Sequence, residues 1–342
     1  MKPRSIFAIL GVLIIASFVV LGGAHTASAL TVTPPLSELK LTSGETTKTK
    51  IKLYNETDKT ITLYSEVVNF GASGETGNPT YDFSAEKIGL STWIDIAPGP
   101  INIEAASSAE VAVSIKTPQD AEPGGHYAVV FFSENPPADG SQVAIGTKVG
   151  TLYLAEVAGD ITESGQIEEF STGKTSYNRL PVDFIVRFKN TGNVHLRPTG
   201  DITIKNMFGN VSDTVNVNVT QAATLPDQIR KYEAEWIKNV IDASDAKGFS
   251  AFWQEYKNEI HNFAFGKYSA TAVMTAQATS AAVQDTGTTQ FWIIPWHVLL
   301  VDGLALIIFV LLLILVIKKY NTWIISKAGG NPSNSGASVK GK

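Results

Sequence analysis

Between residues 31 and 157 apolar and polar positions alternate in short runs separated by Gly, Pro, Asn and Asp. Ile51, Leu53 and the Tyr54-Asn55 end form one such run. Ile61, Leu63, Ser65 and Val67 form a second, and Val111, Val113 and Ile115 a third. A side-chain period of two with turn residues at regular spacing predicts short antiparallel strands arranged as a sandwich. Residues 127–132, Tyr-Ala-Val-Val-Phe-Phe, are apolar without a break, which predicts a central strand covered on both faces. Residues 71–81, rich in Gly, Ser and Thr, read as a surface loop.

The second half repeats the first in outline. Leu53-Tyr54-Asn55-Glu56-Thr57 matches Phe188-Lys189-Asn190-Thr191-Gly192 in kind, an alternating strand running into Asn and small polar residues that tolerate a tight turn. Gly125-His126-Tyr127-Ala128-Val129 likewise corresponds to Gly266-Lys267-Tyr268-Ser269-Ala270. The chain therefore reads as mainly β, with two consecutive Ig-like sandwiches over residues 30–158 and 159–294. One segment breaks the rhythm. Phe249, Phe252, Trp253, Tyr256, Ile260 and Phe263 recur at helical steps, so a helical insertion is expected at about residues 237–263 of the second sandwich. The run before it fits helix or strand, and a strand to about Trp236 completes the sandwich. Residues 290–295 read as the last strand.

Two apolar segments bracket the β region. Residues 6–21 follow Lys2 and Arg4 and precede Ala27-Ser28-Ala29, which predicts a signal peptide over residues 1–29. A second segment within 297–319 is long enough for a hydrocarbon core of roughly 30 Å. It predicts one transmembrane helix, with residues 320–342 as a cytoplasmic tail disordered beyond Ser326. Trp292 and Trp296 sit at one end of that span, and Tyr320 and Trp323 at the other, where amphipathic rings prefer the headgroup level. The expected location is the plasma membrane, single-pass, with the N-terminal domains extracellular.

Charge sharpens that orientation. The chain has 27 basic and 32 acidic residues. Lys318, Lys319, Lys327, Lys340 and Lys342 gather on the expected inner side, whereas the outer part is acidic, which excludes a nucleic-acid-binding face. There is no cysteine, so no disulfide supports either domain and each must bury enough apolar surface by itself. A bacterial or archaeal source suits an exported chain of this kind.

The chain carries no nucleophile elbow, paired-histidine zinc motif, phosphate-binding loop or calcium loop. His126, His195, His261 and His297 are scattered singly, so neither a metal nor a cofactor is expected, and the chain is not expected to be an enzyme. His126 follows Gly124-Gly125 in a turn that a ligand could approach, yet glycines at a strand entry commonly serve the backbone alone. Phe249, Phe252, Trp253 and Tyr256 are the candidate partner-contact residues. Their face either docks on its own sandwich or forms a patch for a partner or a membrane surface.

Pro34-Pro35, the stretch Leu41-Thr42-Ser43-Gly44-Glu45 leading into Ile51 to Lys59, and Gly77-Asn78-Pro79-Thr80-Tyr81 resemble the WxL-interacting (DUF916-like) proteins of bacterial surfaces. The resemblance implies a first domain that binds cell wall (peptidoglycan) and a second that contacts host or partner proteins, so the expected partner is cell wall or a surface protein. The segment Ala121 to Tyr127 and the helical insertion depart from that pattern. The expected function is thus a membrane-anchored cell-surface protein acting in adhesion or scaffolding. The alternative is an accessory subunit of a membrane or secretion complex.

Overall fold

The structure, a computed structural model, describes residues 30–136, 147–239, 247–276 and 282–328. The expected signal peptide and the tail beyond Ala328 lie outside the described residues. The chain is mainly β and divides into two compact units, the first comprising Met1–Ser164, Asn190–Leu196 and Thr224–Gln228, the second Gly165–Lys189, Arg197–Ala223 and Ile229–Lys342.

In the first unit β1 (Leu30–Thr33), β3 (Thr46–Asn55), β8 (Ser108–Lys116) and β6 (Ile94–Ile96) form a sheet in the order β1-β3-β8-β6. The second sheet has the order β2-β10-β9-β4-β5, made of β2 (Leu36–Leu41), β10 (Val149–Val157), β9 (Gly124–Ser133), β4 (Ile61–Ser73) and β5 (Asn78–Asp82). A short strand β7 (Ile101–Ile103) pairs with β4, and a single helical turn α1 (Leu90–Trp93) precedes β6. Ile51, Leu53, Leu63, Val113, Ile115 and Phe132 are fully buried between the sheets. At about 1.5–3 kcal/mol for each such side chain, this burial has to stabilise a unit with no cross-link. Strand β9 is central, as its unbroken apolar run predicts. Ala128, Val130 and Phe132 enter the main core, and Val129 and Phe131 enter a second cluster with Val68, Phe70 and Tyr81.

In the second unit β11 (Gly165–Thr172), β13 (Val182–Asn190) and β16 (Ile229–Trp236) make one sheet. The other has the order β12-β18-β17-β14-β15, made of β12 (Ser176–Tyr177), β18 (Val283–Ile293), β17 (Gly266–Ala276), β14 (Thr199–Lys205) and β15 (Val211–Val217). Trp236 ends β16 with no exposed surface. Its indole N–H donates to Asp213 Oδ2 at 2.8 Å, and its ring lies 5.3 Å from Tyr268 and 6.4 Å from Phe291. Register places Val182 opposite Trp236, Gly266 opposite Ile293, and Lys205 opposite both Ser269 and Val211. The β14–β15 turn, the end of β16, the start of β17 and the end of β18 therefore share one end of this unit. The insert helix α2 (Phe249–His261) and the terminal helix α3 (Trp296–Ala328) leave the sheets at that end.

The parallel between the halves extends to atoms. Asn55 donates from Nδ2 to Lys59 O at 2.7 Å and Glu104 O at 2.8 Å, while its Oδ1 accepts the Thr57 N–H at 3.0 Å. Asn190 donates to Val194 O at 2.7 Å and Thr224 O at 2.9 Å and accepts the Gly192 N–H at 2.9 Å. Both amides thus close a turn at the residues two and four positions on and bond one distant loop. The glycines that open β9 and β17 with positive φ are Gly124 (+129°) and Gly266 (+105°), so the backbone match runs through Gly124 rather than Gly125.

Four expectations are corrected. Residues 71–81 are not a loop throughout: β4 continues to Ser73 and pairs with β5 from Asn69–Asp82 to Ser73–Asn78. Little of this ribbon is buried, so its polar composition hides the strand period. The last strand starts at Val283, not near residue 290: its inward positions 285, 287 and 289 are Asp, Gly and Thr, so no apolar period marks it. The insert helix starts at Phe249, after Gly248 at φ +62°, rather than near residue 237. The terminal helix continues past residue 319 to Ala328.

Candidate functional site at the root of the terminal helix

Helix α3 is long and apolar enough to cross a membrane, and its apolar stretch is exposed all round. At 1.5 Å per residue, Trp296 and Tyr320 lie about 36 Å apart along it, which fits aromatic belts flanking a hydrocarbon core of roughly 30 Å.

Its first turns are held by α2. Glu259, 0% exposed, accepts hydrogen bonds from His297 Nδ1 at 2.6 Å and from the Val298 backbone N–H at 3.0 Å. The Val298 amide is one of the donors that a helix start leaves without an intrahelical partner, and a carboxylate there also meets the positive end of the helix dipole. Glu259 is thus an N-terminal cap supplied from another helix. Phe252 packs edge-on to Trp296 (6.0 Å) and His297 (5.0 Å), and the Tyr256 hydroxyl donates to Asp302 Oδ1 at 3.0 Å. That hydrogen bond raises the Tyr256 pKa above the usual phenol value.

The same side of α2 is also tied to the sandwich. Arg179 reaches Glu255 through Nε at 3.0 Å and an NH2 nitrogen at 3.2 Å, and these hydrogen bonds hold the Glu255 carboxyl below its usual range. At the helix end the buried Asn262 accepts the Asn239 N–H at 3.0 Å, and Asn239 Nδ2 donates to His261 O at 2.7 Å.

The face the sequence marks as apolar is not the face that is buried. The buried positions of α2 are Asn258 and Glu259, with Phe252, Glu255 and Tyr256 half-buried, whereas Phe249 (76% exposed), Trp253 and Ile260 face out. Of the candidate partner-contact residues, Phe252 and Tyr256 therefore meet α3, while Phe249 and Trp253 remain open. Of the two alternatives left by periodicity, neither holds alone: one partly polar side of α2 bonds its own sandwich through Glu255 and Asn262 and the root of α3 through Phe252, Tyr256 and Glu259. Glu259, His297, Arg179 and Asp302 were not singled out as functional residues from sequence. Glu255 and Glu259, one helical turn apart beside the apolar stripe, are the only trace they leave there.

The remaining histidines are engaged locally. His126 Nε2 lies 2.8 Å from Glu122 O, and its ring rests 4.6 Å from Trp93. It lines a 660 Å³ cleft of the first unit together with Phe70, Tyr127 and Asn193. His261 Nδ1 contacts Lys257 O within α2, and His195 lies edge-on to Tyr127 at 6.0 Å. Among the described residues no group of three or more His, Asp or Glu side chains could hold a metal ion.

No family model and no curated protein matches the chain. Solved structures similar to it include a chaperone–tip adhesin complex of CFA/I fimbriae, at 10% identity and a TM-score of 0.37 over 77% of this chain and 99% of that one. The CupB2 chaperone of Pseudomonas aeruginosa matches at 7% identity and 0.33 over 75% and 97%. The CsuC–CsuE chaperone–tip adhesion subunit complex of Acinetobacter baumannii matches at 13% and 0.32 over 60% and 89%. Likenesses at these scores carry no argument about what this chain does.

Proposed function

We propose that this chain is a single-pass membrane protein that presents two β-sandwich units outside the cell and works in adhesion or scaffolding, by binding cell-wall material or a surface protein, without a catalytic step. One observation carries the proposal. A helix with a long exposed apolar stretch is fastened at its root to the adjoining β unit by a buried acid, an aromatic contact and a tyrosine–aspartate hydrogen bond. Such bracing suits a mount that must hold a binding surface at the bilayer rather than let it swing on a linker. Lys318, Lys319 and Lys327 at the far end of α3 favour the β units being on the outer side. Edge strands such as β5 and β15 offer backbone groups to a partner by strand addition.

Retention of the purified chain, in detergent, on isolated peptidoglycan and on intact cell surfaces tests the reading. Saturable, competable binding to the wall material supports the wall ligand, and binding to cells that survives wall digestion supports the protein partner. Loss of both sinks the adhesion reading.

A further inference from the structure

The end of the second unit from which α3 departs is ringed by exposed apolar side chains from separate elements. The turn between β14 and β15 projects Met207 and Phe208, the latter 80% exposed. Helix α2 presents Phe249, Trp253 and Ile260, and the segment leading into β17 presents Phe263 and Phe265. Trp292, Ile294 and Trp296 add the exit of β18. Register places the β14–β15 turn and the β17 start at the same level: Lys205 lies opposite Ser269, Gly266 lies opposite Ile293, and the Met207 side chain occupies the space that Gly266 leaves without a Cβ.

This ring continues directly into the apolar surface of α3, because Phe252 contacts Trp296 and Tyr256 reaches Asp302, two turns into that helix. Lys257, exposed, lies one helical turn from Trp253 on α2, and the exposed Lys247 precedes the helix. An amphipathic helix with aromatic residues on one side and lysines beside them is the composition that lies in a headgroup layer.

We propose that α2 and the Met207–Phe208 turn insert into the outer headgroup–acyl boundary of the bilayer that α3 crosses, so that the second unit rests on lipid through an in-plane foot as well as through its span. The proposal rests on the membrane-anchored reading above, and its surface is lipid rather than a protein partner. The polar side of α2 is turned inward because it supplies the cap and the hydrogen bonds that fix α3. Its apolar side then lies beside the lipid-facing surface of α3, where its exposure has no penalty.

The chain has no cysteine, so single cysteines report unambiguously. Full-length chain reconstituted in phosphatidylcholine–phosphatidylglycerol vesicles is spin-labelled at F208C, F249C, L311C or Q284C, and collision with oxygen is compared with collision with a water-soluble nickel chelate. Leu311 lies within the span. Gln284 lies at the opposite end of β18 from the foot, about 30 Å away along the strand at 3.4 Å per residue. The expected result is an oxygen-to-nickel ratio at 208 and 249 shifted from the aqueous value at 284 towards the lipid value at 311. Aqueous ratios at 208 and 249 with a lipid value at 311 overturn the foot and leave the span standing. Labels at 208 and 249 shielded from both reagents overturn it in favour of a protein contact. An aqueous value at 311 removes the span and the foot together.

Discussion

Replacing Glu259 by Ala removes the acceptor for two buried donors, His297 Nδ1–H and the Val298 N–H. Leaving a buried donor without a partner costs about 1–3 kcal/mol, and two are left here. Partial hydration of the vacated space puts the expected loss near 3 kcal/mol. In E259Q one acceptor oxygen remains, and the expected loss falls to about 1–2 kcal/mol. A chain of two units does not unfold as one step, so the quantity to measure is local opening of α2, by hydrogen exchange on the full-length protein in micelles. At tenfold per 1.4 kcal/mol, E259A should raise exchange over residues 249–261 by about a hundredfold, or to the unprotected limit. Exchange in the first-unit strands should be unchanged. H297Q should show less than additive loss in combination with E259A, since both remove the same contact. Exchange raised less than about fivefold in E259A, or full additivity with H297Q, refutes the claim that this acid holds the helix.

The two turn amides should behave alike: N55A removes five side-chain hydrogen bonds and N190A three, and each should lose about 2–3 kcal/mol of local stability by hydrogen exchange around its turn, against near zero for the exposed N78A. A loss matching the control in either variant refutes the shared role. Burial pushes the Tyr153 phenol up to about 12, above the value near 10 of an unfolded chain. Burial therefore favours the neutral phenol. That contribution is complete below about pH 10 and is lost as pH rises towards 12, so Y153F should flatten the alkaline loss of stability in that window. Glu255 runs the other way. Its lowered carboxyl pKa makes the Arg179 contact complete above the ordinary glutamate range and lost as pH falls through the lowered value, so R179M should abolish the acid-dependent opening of α2 seen by hydrogen exchange over residues 249–261. An acid transition of unchanged size in R179M refutes that assignment.

Strands whose one face is buried were legible because a period of two writes burial straight into the sequence, as at Ile51 and Leu53 or Val111, Val113 and Ile115. The 69–82 hairpin and the first half of β18 were not, since little there is buried and no apolar period survives. Helix α2 was legible as a helix and illegible in its orientation. Periodicity finds a stripe but does not say what the stripe faces, and the residue that decides, Glu259, binds a partner 38 positions away.

That orientation is where fold and proposed function meet. In a helix covering a soluble core, the apolar stripe turns inward and the acids turn to water. In α2 the relation is rotated by roughly a quarter turn: an acid with no exposed surface lies inside, and Phe249 and Trp253 lie outside. Burying a carboxylate is costly without compensation, and here the compensation is specific to the start of α3, whose free amide and imidazole it satisfies. Exposed aromatic surface beside that start faces water only if α3 does. If α3 is in lipid, the stripe lies at the depth where indole and phenyl rings are stable. One location for the terminal helix thus accounts for the inward acid and the outward aromatics together. Separating Glu259 from His297 should therefore disturb both the fastening of α3 and the depth of Phe249.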